Sequence, residues 1–140
     1  MNKCANFSFV IIDDDDISNF ITEKVLHMSF ESPCINSYTN PVKGLEAILT
    51  SDKIGEGQIM VLFLDINMPI LNGWEVLERI NELPTQLKQL MKIYMFSSSV
   101  DSRDMERTSR CDIVTGYVEK PLTKEKVQQI LDDLQLEASE

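Results

Sequence analysis

The chain has 140 residues, of which 43% are hydrophobic and 26% charged, and a formal net charge of -10. It is long enough for one domain with its own core and too apolar for disorder throughout, so a single domain over 1–140 is expected, with its core at about 7–134 and a short polar C-terminal tail. The acidic excess excludes a basic nucleic-acid face, and no apolar run approaches the ~20 residues of a membrane span, so neither nucleic acid nor membrane is expected as a partner.

Strands and helices alternate along the chain. "FSFVII" (7–12) reads as a buried strand, and its entry, one lysine and then a strand-length apolar run into four acids, is unlike a secretory leader. Ile17, Phe20, Ile21, Val25 and Met28 follow helical spacing, with Asp15 or Asp16 as N-cap. "CINSY" (34–38) is a weaker strand. Asn40-Pro41 opens a second helix, with proline near its first position. A polar, glycine-containing loop is expected over 50–58. "IMVLFL" (59–64) is apolar throughout, hence a strand buried on both faces. Trp74, Leu77 and Ile80 mark a third helix, "KIYMFS" (92–97) a fourth strand, 101–109 a polar helix and "TGYVE" (115–119) a fifth strand. Val127, Ile130, Leu131 and Leu134 give a last helix capped by Thr123, and "EASE" reads as a frayed tail. Cys4, Cys34 and Cys111 are odd in number and lack a CxxC pattern, so they are expected as reduced thiols in a cytoplasmic protein.

Alternation of this kind builds a parallel sheet with helices on both faces and right-handed crossovers, and ligands bind beyond the carboxyl ends of its strands. At those ends the first strand delivers Asp13 and Asp14, the third Asp65, the fourth Ser97 and the fifth Lys120. Clustered carboxylates raise one another's pKa, and a hard cation with oxygen ligands relieves them; magnesium takes one or two carboxylates and keeps room for a phosphate oxygen. A lysine and a hydroxyl suit the remaining phosphoryl oxygens, and an aspartate can itself carry an acyl phosphate. The edge therefore reads as a site of metal-assisted phosphoryl transfer to a carboxylate.

"IIDDDD", "FLDINMPILNGWE", "YMFSSS" and "GYVEKPLT" stand in the order and spacing of the response-regulator receiver domain of two-component signalling, and the chain resembles that family from about residue 7 to 134. The resemblance implies a flavodoxin-like (βα)5 doubly wound parallel sheet of strand order 2-1-3-4-5. It implies Asp65 as phosphoacceptor, Asp14 as direct Mg2+ ligand, Asp13 holding a metal-bound water, and a backbone carbonyl from Asn67. Asp15 and Asp16 are left to the helix cap, where the dipole favours acids. Ser97 and Lys120 would bind the phosphoryl, with a cis bond from Lys120 to Pro121. Tyr117 matches the switch aromatic, or is an ordinary edge-strand tyrosine. Met68 and Pro69 shape the loop, Gly73 lets the backbone turn into the third helix, Trp74 packs, and His27 has no part.

The family's function follows as an expectation: a phosphorelay module fed by a histidine kinase or phosphotransfer protein. It would signal to an unknown downstream protein through residues 101–134, as a monomer or phosphorylation-dependent dimer. Because the last helix ends the chain, a stand-alone receiver is expected, not an enzyme. A phosphatase of the haloacid dehalogenase type would also use a strand-end aspartate with magnesium, but it needs an acid two positions on, where this chain has Asn67. A constitutive scaffold that is never phosphorylated is the third reading. The segment "RTSRCDIVTG" lacks the family's Gly-Ala before the fifth strand, and Ser98 takes the place of a small residue, often alanine.

Overall fold

The structure is a computed structural model and describes residues 2–3, 7–51, 58–99 and 101–138, with side chains for 7–51, 58–99 and 101–134. Its elements are β1 (Asn2–Lys3), β2 (Phe7–Ile12), α1 (Asp16–Ser29), β3 (Phe30–Glu31), β4 (Ile35–Tyr38), α2 (Pro41–Leu49) and β5 (Ile59–Asp65). These are followed by α3 (Gly73–Ile80), α4 (Thr85–Lys88), β6 (Met91–Ser97), α5 (Ser102–Ser109), β7 (Val114–Glu119) and α6 (Lys124–Ala138). The fold is flavodoxin-like: five strands form one parallel sheet, with helices packed on both faces.

Counted along the chain, the sheet order is β4-β2-β5-β6-β7. The five strands expected from the sequence thus lie side by side in the expected order 2-1-3-4-5, and only the count along the chain changes, because the expectation lacked β1 and β3. Those two form a separate parallel ladder, Asn2 opposite Phe30 and Lys3 opposite Glu31, too short to carry any hydrophobic period. Also unforeseen is α4, one turn after Pro84 with no side-chain cap. The tail expected to fray is helical as far as Ala138. Residues 52–57 of the expected loop, Cys4, and residues 139–140 lie outside the described residues.

Alternation along the strands sorts the core into two layers. Val10, Ile12, Leu62, Leu64, Ile93 and Met95 face α2 and α3, where Leu45, Ile48, Trp74, Leu77 and Ile80 meet them. Phe9, Ile11, Val61, Phe63, Tyr94 and Phe96 face α1 and α6, against Val25, Leu26, Val127, Ile130 and Leu131. Burial on both faces explains why β5 reads as an unbroken apolar run. Side-chain caps fix where the helices begin. Asp15 Oδ1 accepts from the N–H of Ile17 and Ser18, and Asn40 caps α2 ahead of Pro41. Asn72 and Glu75 close a capping box on α3. Among the described residues no helix is long and apolar enough to cross a membrane.

Candidate functional site

Register brings the chemistry to one edge. Ile12 lies opposite Leu64, Asp65 opposite Phe96, and Ser97 opposite Glu119. The next residue on each path, Asp13 after β2 and Lys120 after β7, therefore emerges beside Asp65 and Ser97. One oxygen from each of Asp13, Asp14 and Asp65 lies within 4.8 Å of the others. Asp13 (0% exposed) and Asp65 (5%) are buried, and Asp14 is the exposed member. These carboxylates form a hard, oxygen-only donor set of the kind a divalent cation takes.

Lys120, its side chain 14% exposed, bridges the two buried acids. Its Nζ lies 2.7 Å from Asp13 Oδ2 and 3.5 Å from Asp65 Oδ1. It also sits 5.4 Å above the Phe96 ring. The Lys120–Pro121 peptide is cis, as expected. Burial pushes both acids upward, but they end on opposite sides of the ordinary value. For Asp13, hydrogen bonds from Lys120, Ser18 Oγ and the Asp15 N–H outweigh burial, and the carboxyl is held below the usual range. For Asp65, burial and then the negative charge of Asp13 win over the lysine, and its pKa is pushed up to about 7. One pair thus contains a fixed anion and an acid that titrates near neutrality.

The loop after Asp65 is built tightly. The Gly73 N–H donates to the Ile66 carbonyl at 2.9 Å. A Cβ on Gly73 would lie 2.6 Å from the Asp65 carbonyl oxygen and 3.0 Å from Ile66 Cα. Gly73 is therefore required for close backbone approach, not for the turning freedom expected of it. Asn67 is exposed, and its N–H reaches Asp65 Oδ1 at 3.4 Å. Met68 is buried. Ile70 adopts φ 73°, a left-handed conformation that a β-branched residue seldom takes.

Ser97 is buried at the end of β6, but its hydroxyl is turned onto the backbone of its own loop. Oγ donates to the Ser99 carbonyl at 2.9 Å and accepts from the Ser99 N–H at 3.2 Å. The hydroxyl of Tyr117 donates to the same Ser99 carbonyl at 2.8 Å, and its ring packs partly against the α2/α3 layer. Ser99 thus joins Ser97 and Tyr117 through one carbonyl. Trp74 packs as expected, and the Arg107 guanidinium stacks on it at 4.3 Å.

Three residues that touch this network were missed from the sequence. Ser18 Oγ donates to Asp13 Oδ2 at 2.6 Å, Asn19 Nδ2 donates to the Asp13 carbonyl at 2.9 Å, and Ser99 is the shared acceptor. The available signal was weak: two polar residues in the first turn of an otherwise apolar-striped helix, immediately after a strand-end acid.

Residues 9–132 match the family model of the response regulator receiver domain. Among solved structures, a two-component response regulator from Cytophaga hutchinsonii matches with a TM-score of 0.81 and 30% identity, over 92% of this chain and 96% of that one. A response regulator receiver protein from Dyadobacter fermentans gives 0.80 and 24%, over 91% and 96%. The chemotaxis protein CheY4 of Vibrio cholerae shares the fold, at 0.66 and 18%, over 95% and 98%. A family match that spans the sheet, on a chain whose acids, serine and lysine stand at the strand ends where the motifs put them, means that this chain belongs to the response-regulator receiver domains of two-component signalling.

Proposed function

We propose that Asp65 accepts a phosphoryl group from a histidine kinase or phosphotransfer protein in a cytoplasmic phosphorelay. Mg2+ would be held by Asp13, Asp14, Asp65 and the Asn67 carbonyl. The supporting observation is the grouping of three carboxylates within 4.8 Å, two of them buried and bridged by one lysine. When bound, the ion would relieve the mutual repulsion of the acids and neutralise charge on the phosphoryl oxygens. An ionised Asp65 oxygen attacks phosphorus in line. The bond from phosphorus to the donor's imidazole nitrogen breaks, and its electron pair stays on that nitrogen. Lys120 exchanges its contact with Asp13 for a phosphoryl oxygen. The Ser97 hydroxyl leaves the Ser99 carbonyl for another, and the small Ser98 beside it leaves the approach open.

The signal then leaves through α5, β7 and α6, within residues 101–134, toward a downstream protein or a second copy of the chain. Turnover of outside substrates is not part of this reading, since Asn67 offers an amide where a phosphatase would need an acid. The test is incubation with acetyl phosphate and Mg2+, followed by intact mass. One phosphoryl should add to the native protein and none to Asp65→Asn. An undiminished adduct on Asp65→Asn would move the acceptor elsewhere. Rapid hydrolysis of phosphate esters without an adduct would favour the phosphatase.

A further inference from the structure

The carboxylate of Asp13 is held at three points. Oδ1 accepts the Asp15 N–H at 3.0 Å, while Oδ2 accepts both Lys120 Nζ at 2.7 Å and the Ser18 hydroxyl at 2.6 Å. Ser18 is itself fixed. Its N–H reaches the capping Asp15 Oδ1 at 3.4 Å, and its carbonyl accepts the Thr22 hydroxyl at 2.9 Å. Next to it, the buried Asn19 ties down the Asp13 backbone carbonyl at 2.9 Å. We propose that Ser18 is a positioning residue that keeps the Asp13 carboxylate oriented toward the divalent cation when Lys120 is elsewhere.

The reason lies in how a carboxylate turns. Its terminal torsion is broad and nearly two-fold, so its plane is set by its partners and not by a rotamer well. A cation at the acidic edge repels Lys120, and a phosphoryl on Asp65 attracts it; both draw the lysine away from Oδ2. Without Ser18 the carboxylate would then keep one contact, the Asp15 N–H, and could swing about it. With Ser18 each oxygen keeps a donor, and the plane stays fixed. The partners that orient a ligating group set metal affinity almost as the ligands do. The inference rests on the Mg2+ reading of the acidic edge.

The test is Mg2+ titration by calorimetry on the full chain in three forms: native, Ser18→Ala and Ser18→Thr. Melting temperatures without the ion are measured alongside. Ser18→Ala should weaken Mg2+ by about tenfold, the scale of losing a partner that orients a ligand. Its metal-free melting should change little, and Ser18→Thr, which keeps the hydroxyl, should restore the affinity. Native binding with unchanged affinity in Ser18→Ala would overturn the role of Ser18 and leave the Mg2+ reading standing. A loss of affinity that Ser18→Thr does not restore, or that follows a lowered metal-free melting temperature, would assign the effect to the helix and overturn the proposal. No Mg2+ binding by the native protein would overturn both.

Discussion

At the residue scale, the site's electrostatics make a claim about pH. The folded-state pKa of Asp65 lies at about 7, above its ordinary 3.8. An acid raised in this way favours the folded state while it is protonated. That contribution is complete below pH 3.8 and is lost as pH rises through about 7. Asp13 has the opposite sign: its lowered pKa stabilises the fold above the ordinary carboxylate value and fails only in acid. The metal-free protein should therefore melt at progressively lower temperature as pH rises from about 5 to about 8, and Asp65→Asn should flatten that slope. Melting scans in a chelating buffer check this, and equal slopes in the two proteins would contradict the charge balance described above. Ile70 gives a second expectation. Its left-handed backbone, in a side chain 78% exposed, carries strain with no burial to offset it. Asn adopts that region more readily, so Ile70→Asn should stabilise the fold by about 1 kcal/mol, read from urea unfolding. No sequence signal pointed there, because Gly or Asn is what marks a positive φ, and this chain has an isoleucine.

At the element scale, what was legible and what was not follows from length and period. β5 and β6 could be read because burial on both faces leaves strand-length runs that are mostly apolar. The strand-end acids, serine and lysine could be read because parallel strands with short loops bring the end of each strand to one edge. β1, β3 and α4 could not: two residues, or one turn, hold no period. The contact of Ser18 with Asp13 was hidden because it depends on how far α1 is rotated about its axis, which the cap at Asp15 decides. α5 is the marginal case. It is polar, its one large apolar residue, Met105, is 45% exposed, and of its residues Thr108 alone is buried. Besides its contact with β7, what holds it is the Asp101 cap and the stacking of Arg107 on Trp74. A cation–π contact with an exposed guanidinium contributes about 0.5–1 kcal/mol, which matters for a helix with so little else. Arg107→Ala should lower hydrogen-exchange protection across residues 102–109 and change the fluorescence of Trp74, the one tryptophan in the chain. Unchanged exchange in α5 would mean that the cap and the contact with β7 suffice.

At the scale of the whole molecule, the proposed switch requires one sheet edge to move a surface on one side of the sheet, and the Ser99 carbonyl is a contact through which it would do so. It accepts from Ser97, which faces the proposed phosphoryl, and from Tyr117 on the edge strand β7. A switch aromatic at Tyr117 would turn into the space that Ser97 vacates. In the structure the ring already touches the core and its hydroxyl is already tied to the loop, so the motion to expect is the loop shifting with Tyr117 attached. Magnitudes bound the response. Lys120 exchanges one charge-assisted contact for another, so its net contribution is small; Ser97 gains a charge-assisted bond of about 1.5–3 kcal/mol and gives up two bonds to Ser99 at about 1 kcal/mol each. A net gain of about 1 kcal/mol shifts an equilibrium roughly fivefold, so a state populated at about 1% would reach only about 5%. Beryllofluoride with Mg2+ should therefore leave the amide signals of α5 and β7 at positions between two end states, not fully switched. Tyr117→Phe, which loses the bond to Ser99, should bind the mimic equally well but show smaller shifts across 102–119, and Tyr117→Ala smaller still. Shifts of native size in both variants, or shifts confined to α1, would show that the signal leaves by another route even with Asp65 as the acceptor.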